Sequence, residues 1–303
     1  MKQLKTVSIE ERRKAFKSRI KTKGIVLPGA YNGLTARQIN DVGFEGVYIS
    51  GAALSACAGL PDIGLLTLSE FSFFIKFITQ AVEIPCIADA DTGFGEIINV
   101  VRTVQELESI GLTGIHIEDQ IMPKRCGHLA GKKLVTEVNM CEKIQAACSA
   151  RKDENFLIIA RTDARSVEGF ENTVSRAKAY VKAGADAIFP EALQTEKEFE
   201  EFAKEFNVPL LANMTEFGVS PMMSANQLFK IGYKLVIFPV TALRVTMKNT
   251  EKLYREIKKE GVQKSFLNKM QTREELYDLI DYAKYAAIDR KAANYKNKNN
   301  ESK

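Results

Sequence analysis

Pro85-Cys86-Ile87-Ala88-Asp89-Ala90-Asp91-Thr92-Gly93 is an apolar run that turns polar at its end. An amphipathic helical stretch follows from Ile97 to Ile110, and then a second run of the same kind, Gly114-Ile115-His116-Ile117-Glu118-Asp119. Two such runs joined by a helical crossover read as a pair of parallel strands. The pattern recurs along most of the chain. Runs at Gly24 to Tyr31, Gly46 to Gly51, Phe156 to Ala164, Ala187 to Leu193, Pro209 to Glu216 and Lys234 to Ala242 bring the number to eight. Helical stretches lie between them at Thr35 to Val42, Leu68 to Val82, Thr136 to Ala150, Phe170 to Ala183, Glu196 to Phe206 and Ser224 to Lys230. Several strands are introduced by a helix-ending glycine, at Gly43, Gly111, Gly184 and Gly232.

Eight strand-then-helix units predict an α/β fold, a closed (β/α)8 TIM-type barrel with its helices outside. A doubly wound open sheet is the alternative, and it calls for a glycine-rich phosphate turn after the first strand. Pro28-Gly29-Ala30-Tyr31-Asn32-Gly33 is not one. Before the barrel, residues 1–23 predict an N-terminal helix with Ser8 as cap and Glu10 and Glu11 in its first turn. The barrel is expected over 24–245 and C-terminal helices over 246–289, at Thr246 to Glu260 and Arg273 to Ala287. Residues 290–303, rich in Lys and Asn, predict a disordered basic tail. The final helix exceeds what a barrel needs and suggests packing on a neighbouring subunit.

The net charge of +5 is unevenly placed. Residues 1–23 contribute +7 and residues 290–303 contribute +4, which leaves a body of −6. An acidic body with basic ends lacks the continuous basic face that nucleic-acid binding needs. The longest apolar run, Leu235 to Leu243, falls short of a membrane span and is interrupted by Pro239 and Thr241. The N-terminus has no apolar signal core. Five cysteines at 57, 86, 126, 141 and 148 show no paired CxxC spacing. A soluble cytoplasmic protein with reduced thiols is expected, with no nucleic-acid or membrane partner.

Residues i and i+2 of a strand share a face, so polar residues of one parity at a strand end point to one place. Tyr48 and Ser50, Asp89 and Asp91, His116 and Glu118, Arg161 and Asp163, Glu191, and Asn213 and Thr215 all fall at C-terminal ends, the mouth where barrel enzymes keep their chemistry. Asp89 and Asp91, with Glu118, make an oxygen-only set suited to magnesium. After Asp119 comes a loop of about 16 residues, far longer than the usual strand-to-helix connection of about 2 to 6, and such loops are commonly lids. It carries Lys124-Arg125-Cys126-Gly127-His128, one thiol among three groups that are or can become cationic, a setting that favours a thiolate. The plainer alternative is a solvated basic loop with an incidental cysteine.

Set beside Asp89-Ala90-Asp91-Thr92-Gly93-Phe94-Gly95 and His116-Ile117-Glu118-Asp119-Gln120, that loop resembles the isocitrate lyase and phosphoenolpyruvate mutase superfamily, and within it the 2-methylisocitrate lyases, from about Gly24 to Ala287. The resemblance implies a magnesium-dependent enzyme, a carbon–carbon (oxo-acid) lyase cleaving (2S,3R)-2-methylisocitrate to pyruvate and succinate, a step of propionate catabolism in the 2-methylcitrate cycle. It implies a homotetramer whose last helix is exchanged between subunits. Metal contacts would fall on Asp89 and Asp91, with Asp62 and Glu118 acting through water. Substrate contacts would fall on Ser50, Gly51, Ala52, Cys126, Gly127, Arg161, Glu191, Asn213, Met214, Thr215, Arg244 and Arg273, with Ala52 standing where many relatives have glycine. The catalytic set would be Cys126, Tyr48, Glu191, His128 and Lys124, Cys126 as proton donor and Tyr48 as base, with Glu191 or a metal-bound hydroxide as the next candidates for base. Competing readings are an isocitrate or 2,3-dimethylmalate lyase, or an oxaloacetate decarboxylase or phosphonopyruvate-type enzyme of the same superfamily. From another class, there is a non-enzymatic organic-acid sensor.

Overall fold

The computed structural model describes residues 7–300. All eight expected strands are present: β1 (Ile25–Pro28), β2 (Val47–Ile49), β3 (Cys86–Asp89), β4 (Gly114–Glu118), β5 (Leu157–Thr162), β6 (Ala187–Pro190), β7 (Leu211–Asn213) and β8 (Leu235–Phe238). Ten helices fall in unit 1 or cross its end: α1 (Ile9–Arg19), α2 (Gly33–Asp41), α3 (Gly51–Cys57), α4 (Leu68–Ala81), α5 (Ile97–Ser109), α6 (Glu137–Ala150), α7 (Phe170–Lys182), α8 (Glu196–Lys204), α9 (Ala225–Ile231) and α10 (Thr241–Glu260). Unit 1 spans residues 1–244 and unit 2 residues 245–303.

Every strand pairing is parallel. Continuous ladders join β2-β3-β4-β5-β6 and β1-β8-β7. Two seams complete the cyclic order, each through one isolated parallel bridge: Gly29 with Tyr48 between β1 and β2, and Ile188 with Leu210 between β6 and β7. Alternation along the strands sorts the apolar side chains into two clusters. Ile25, Leu27, Ile87, Leu157, Ile159, Phe189, Leu211, Leu235 and Ile237 fill the interior, with Phe16 and Ile20 of the α1 region among them. Val47, Ile49, Ala88, Ile115, Ile117, Ile158, Ile188 and Val236 point outward and pack with helix residues such as Ile75, Val104 and Ile144.

The helix starts follow their caps. Ser8 accepts from Glu11 N while Glu11 reaches back to Ser8 N, and Thr67 and Glu70 repeat this box at α4. The buried Arg13 of α1 donates to the carbonyls of Leu112 and Glu108 and pairs with Glu108 and Asp153. Gly111 and Gly184 end their helices at φ +93° and +114°, a region open to glycine.

Four expectations need correction. The α3 helix was not foreseen, because Gly-Ala-Ala-Leu-Ser-Ala-Cys has no polar face to reveal a period. α10 begins at Thr241, inside the span assigned to the barrel. The stretch Arg273 to Ala287, expected as one helix, is two: α11 (Arg273–Leu279) and α12 (Tyr282–Asn300), parted at Asp281, which adopts φ +57°. α12 continues through residues 290–300, where disorder was expected, since that sequence has helix-forming Ala and Lys and neither Gly nor Pro. Residues 1–6 of the expected N-terminal helix and 301–303 of the tail lie outside the described residues. Among the described residues no helix is long and apolar enough to cross a membrane.

Candidate active site

The inward rows of the strands change character at the C-terminal ends. Ile87 is followed on its face by Asp89, Ile159 by Arg161, Phe189 by Glu191 and Leu211 by Asn213. Asp89, Asp91, His116, Glu118, Arg161, Asp163 and Glu191 are all buried, so strand parity has gathered five carboxylates, one guanidinium and an imidazole at one end of the barrel. Three non-glycine residues just past strand ends, Asp91, Ala192 and Phe217, hold positive φ of 45°, 61° and 61°. Such strained backbone collects at functional sites.

Arg161 is the hub. Its Nε and Nη2 donate to the two oxygens of Asp163 at 3.0 and 3.2 Å, and the same guanidinium lies 3.4 Å from both Glu118 and Glu191. It stacks over the Phe189 ring at 5.1 Å, and that ring meets His116 edge-on at 5.2 Å. Phe189 is fully buried and supports Arg161 from beneath. Burial would raise Asp163, but Arg161 and Lys132 outweigh it and bring its carboxyl down to about 2. Burial likewise opposes ionisation of Glu191, yet Arg161 and the His128 contact hold it below the usual range.

Beside this hub lies the aspartate pair. Asp91 N donates to Asp89 Oδ1 at 2.9 Å and Gly51 N donates to Asp89 Oδ2 at 3.2 Å. A Cβ on Gly51 would stand 2.8 Å from that oxygen, so only glycine admits this approach. Burial pushes Asp91 up to about 7 and Glu118 well above the carboxylate range, while His116, desolvated, falls to about 4 and is neutral. Glu118 Oε1 is buried with no hydrogen-bond partner. Among the described residues no three His, Cys, Asp or Glu side chains form a ready cage for a metal. Magnesium, however, is commonly held by one or two carboxylates with water completing its shell. An oxygen-only donor set containing an orphaned carboxylate oxygen fits such an ion.

The Lys124–His128 segment sits over the cluster. Lys124 Nζ pairs with Asp62 and lies 2.9 Å from Asp91 Oδ1. Gly127 is pressed against Glu191 and Arg161; a Cβ there would meet them at 2.4 and 2.5 Å. His128 Nδ1 accepts from Val219 N at 3.1 Å, which assigns the proton to Nε2, 2.9 Å from Glu191 Oε1. Arg125 is exposed and donates to Ala130 O. The cationic setting read around Cys126 therefore differs in space: Lys124 is committed to aspartates, Arg125 faces outward and His128 turns its Nε2 to Glu191. Cys126 itself is half-buried.

Tyr48 Oη lies 2.7 Å from His116 Nε2, and burial drives the phenol well above its ordinary value. Ser50 caps α3, where Ala52 also lies, and Asn213 Nδ2 donates to Glu191 at 3.3 Å. Met214 is buried and Thr215 half-buried. Arg244 donates to Glu216 O at 2.9 Å and stacks on Phe217 at 5.2 Å, so it is turned toward the β7 loop. Arg273 opens α11 in unit 2.

Sequence reasoning missed Lys132. This loop lysine is buried and bonds both Gly127 O and, at 2.9 Å, Asp163 Oδ1. Its signal was indirect: Asp163, at an inward position, needed a cation.

Residues 16–258 match the family described as phosphoenolpyruvate phosphomutase. The chain belongs to that family. It is 53% identical to a 2-methylisocitrate lyase of Aeropyrum pernix over 283 residues, 92% of this chain and 91% of the relative. Among solved members of the phosphoenolpyruvate mutase/isocitrate lyase superfamily, 2,3-dimethylmalate lyase superposes with a TM-score of 0.88 at 33% identity, covering 93% of this chain and 95% of its own. Phosphonopyruvate hydrolase in complex with oxalate and Mg++ superposes with a TM-score of 0.84 at 29% identity, covering 92% and 98%.

Proposed function

We propose that this member of the phosphoenolpyruvate phosphomutase family is a magnesium-dependent carbon–carbon lyase that cleaves (2S,3R)-2-methylisocitrate to pyruvate and succinate. The observation that carries the proposal is the seating of the Cys126-bearing loop on the carboxylate cluster, with Lys124 on Asp62 and Asp91, and Gly127 against Arg161 and Glu191. The activity of the Aeropyrum pernix relative supports the choice of substrate.

Asp89 and Asp91 would hold magnesium directly, and Asp62 and Glu118 through water. When bound, the ion supplies Lewis acidity at the oxygens of the hydroxy-acid half. The remaining roles fall to the chain. Arg161 and Arg244 bind the substrate carboxylates by two-point contacts, with Asn213, Thr215 and the Ser50-Gly51-Ala52 turn as neutral donors and Met214 beside them. A base takes the hydroxyl proton, the carbon–carbon bond breaks, and Cys126 delivers a proton to the carbon of the succinate half. Of the two side chains expected as base, Glu191 is already in its accepting form. Tyr48 is kept a phenol by burial and accepts a proton only by releasing its own, with His116 Nε2 in reach. His128 orients Glu191, and Lys124 ties the loop to the aspartates.

The assembly proposed with this activity is a homotetramer with the last helix exchanged. Its support is unit 2, whose helices α10 and α11 bury no residue while Tyr254, Leu267, Tyr285 and Ile288 are exposed. Incubating the purified protein and magnesium separately with methylisocitrate, isocitrate, 2,3-dimethylmalate and oxaloacetate, and identifying products, tests the reading. Pyruvate and succinate from methylisocitrate are expected. Binding without turnover of any of the four would replace the enzyme by a sensor.

A further inference from the structure

The buried cluster at the barrel mouth contains Asp89, Asp91, Glu118, Asp163 and Glu191, and among the described residues three Lys or Arg side chains reach it: Arg161 from β5, and Lys124 and Lys132 from the loop between β4 and α6. Two of the three therefore arrive on one long connection rather than on a strand. The loop is closed at its neck by the Gln120–Leu134 bridge and by Ile121 N donating to Lys133 O, so residues 121–133 form one tethered unit. Within that unit Lys132 makes the inward bond. Its ammonium, nearly sealed from solvent, spans Gly127 O on the loop and Asp163 Oδ1 on the barrel. Asp163 is in turn fixed from behind, since its backbone N donates to Asp119 Oδ1, and Asp119 also receives Thr162 Oγ1 and Tyr180 Oη.

Arg161 shares Asp163 with Lys132. Without the lysine, the guanidinium would face Asp163, Glu118 and Glu191 with no second cation on Asp163, and its charge would be spent on protein carboxylates before any anionic ligand arrived. With the lysine seated, part of the Asp163 charge is answered from the other side, and Arg161 presents more of its own toward the open mouth. A buried charge left without its partner is strongly unfavourable, so the seated loop and the charge on Arg161 are coupled, and by linkage an anion that gains from one must stabilise the other.

We propose that Lys132 is a positioning residue, a latch that seats the 120–134 loop through Asp163 and thereby sets the charge Arg161 offers to a carboxylate ligand. The proposal rests on the lyase reading only for the identity of that ligand; the latch itself does not need turnover.

The test uses the full-length protein with magnesium and two readouts independent of turnover: the rate of limited proteolysis within 120–134, and the affinity for oxalate as a small dicarboxylate probe. Lys132→Gln keeps a donor for Gly127 O but removes the charge, and Lys132→Met removes both; Lys133→Met, at the exposed neighbouring position, is the control. Both Lys132 variants are expected to be nicked at least about tenfold faster than wild type and to bind oxalate at least about tenfold more weakly, with Lys132→Arg restoring each to within about threefold and Lys133→Met unchanged. Where methylisocitrate is turned over, KM rises in Lys132→Gln by more than kcat falls, which a general loss of folding would not produce. Wild-type nicking and wild-type oxalate affinity in either folded Lys132 variant would overturn the latch. Absence of lyase activity in the wild type, with these two readouts as expected, would remove the substrate assignment and leave the latch standing.

Discussion

Cys126 and Asp89 carry the sharpest expectations at the scale of single residues. Cys126→Ser keeps the shape of the side chain but replaces a thiol with a far less acidic hydroxyl, so cleavage of methylisocitrate is expected to fall at least about a hundredfold, with product binding retained. Steady-state kinetics beside succinate and pyruvate titrations would check it, and near-normal turnover would exclude the thiol from the reaction. Asp89→Ala is expected to abolish magnesium-dependent activity, and a chelator to silence the wild type reversibly; undiminished turnover in chelator would contradict the site. Asp89 was legible because strand parity is a geometric certainty once the strands are known. Asp89, Arg161 and Glu191 had to share the face of Ile87, Ile159 and Phe189. What parity could not show is which cation answers which carboxylate. Lys124, Arg125 and His128 are consecutive or nearly so, yet they part toward the aspartates, solvent and Glu191, because loop side chains have no fixed period.

At the scale of elements, the strands and most helices could be read from apolar runs, caps and terminal glycines, since each signal is local. α3 and the break at Asp281 could not, the first for want of a polar face and the second because Asp281 in a left-handed conformation has no marker in the sequence. The same limit hid the task of α1. It reads as an ordinary surface helix, but its Arg13 crosses to Leu112 O, Glu108 and Asp153 and holds the helix at the strand-entry end of the barrel. Arg13→Met should therefore cost about 3 kcal/mol or more, because buried acceptors lose their donor and Glu108 its counter-charge. Urea unfolding would measure it. A loss below about 1 kcal/mol would mean that α1 is held by Phe16 and Ile20 alone.

At the scale of the whole molecule, the pocket must separate substrates that differ by one methyl group, worth about 1 to 3 kcal/mol in an apolar site, or roughly 10- to 200-fold. A preference of at least about tenfold for methylisocitrate over isocitrate in kcat/KM is expected. Phe189, inward like Ile237 and fully buried, acts on that space from below, under Arg161 and against His116. Phe189→Trp should lift both and erode the preference. Isocitrate handled equally well by the wild type would overturn the assignment of substrate while sparing the chemistry. The two seams of the barrel have a further consequence. With one bridge each, at Gly29–Tyr48 and Ile188–Leu210, they divide the ring into a ribbon of three strands and one of five. Amides of β1, β7 and β8 should then exchange with solvent deuterium as a single block, at a lower opening free energy than those of β3, β4 and β5. The Asn213–Glu191 contact crosses the second seam, so a ligand gripping both would staple the ribbons, and the block should slow its exchange when succinate and pyruvate are added.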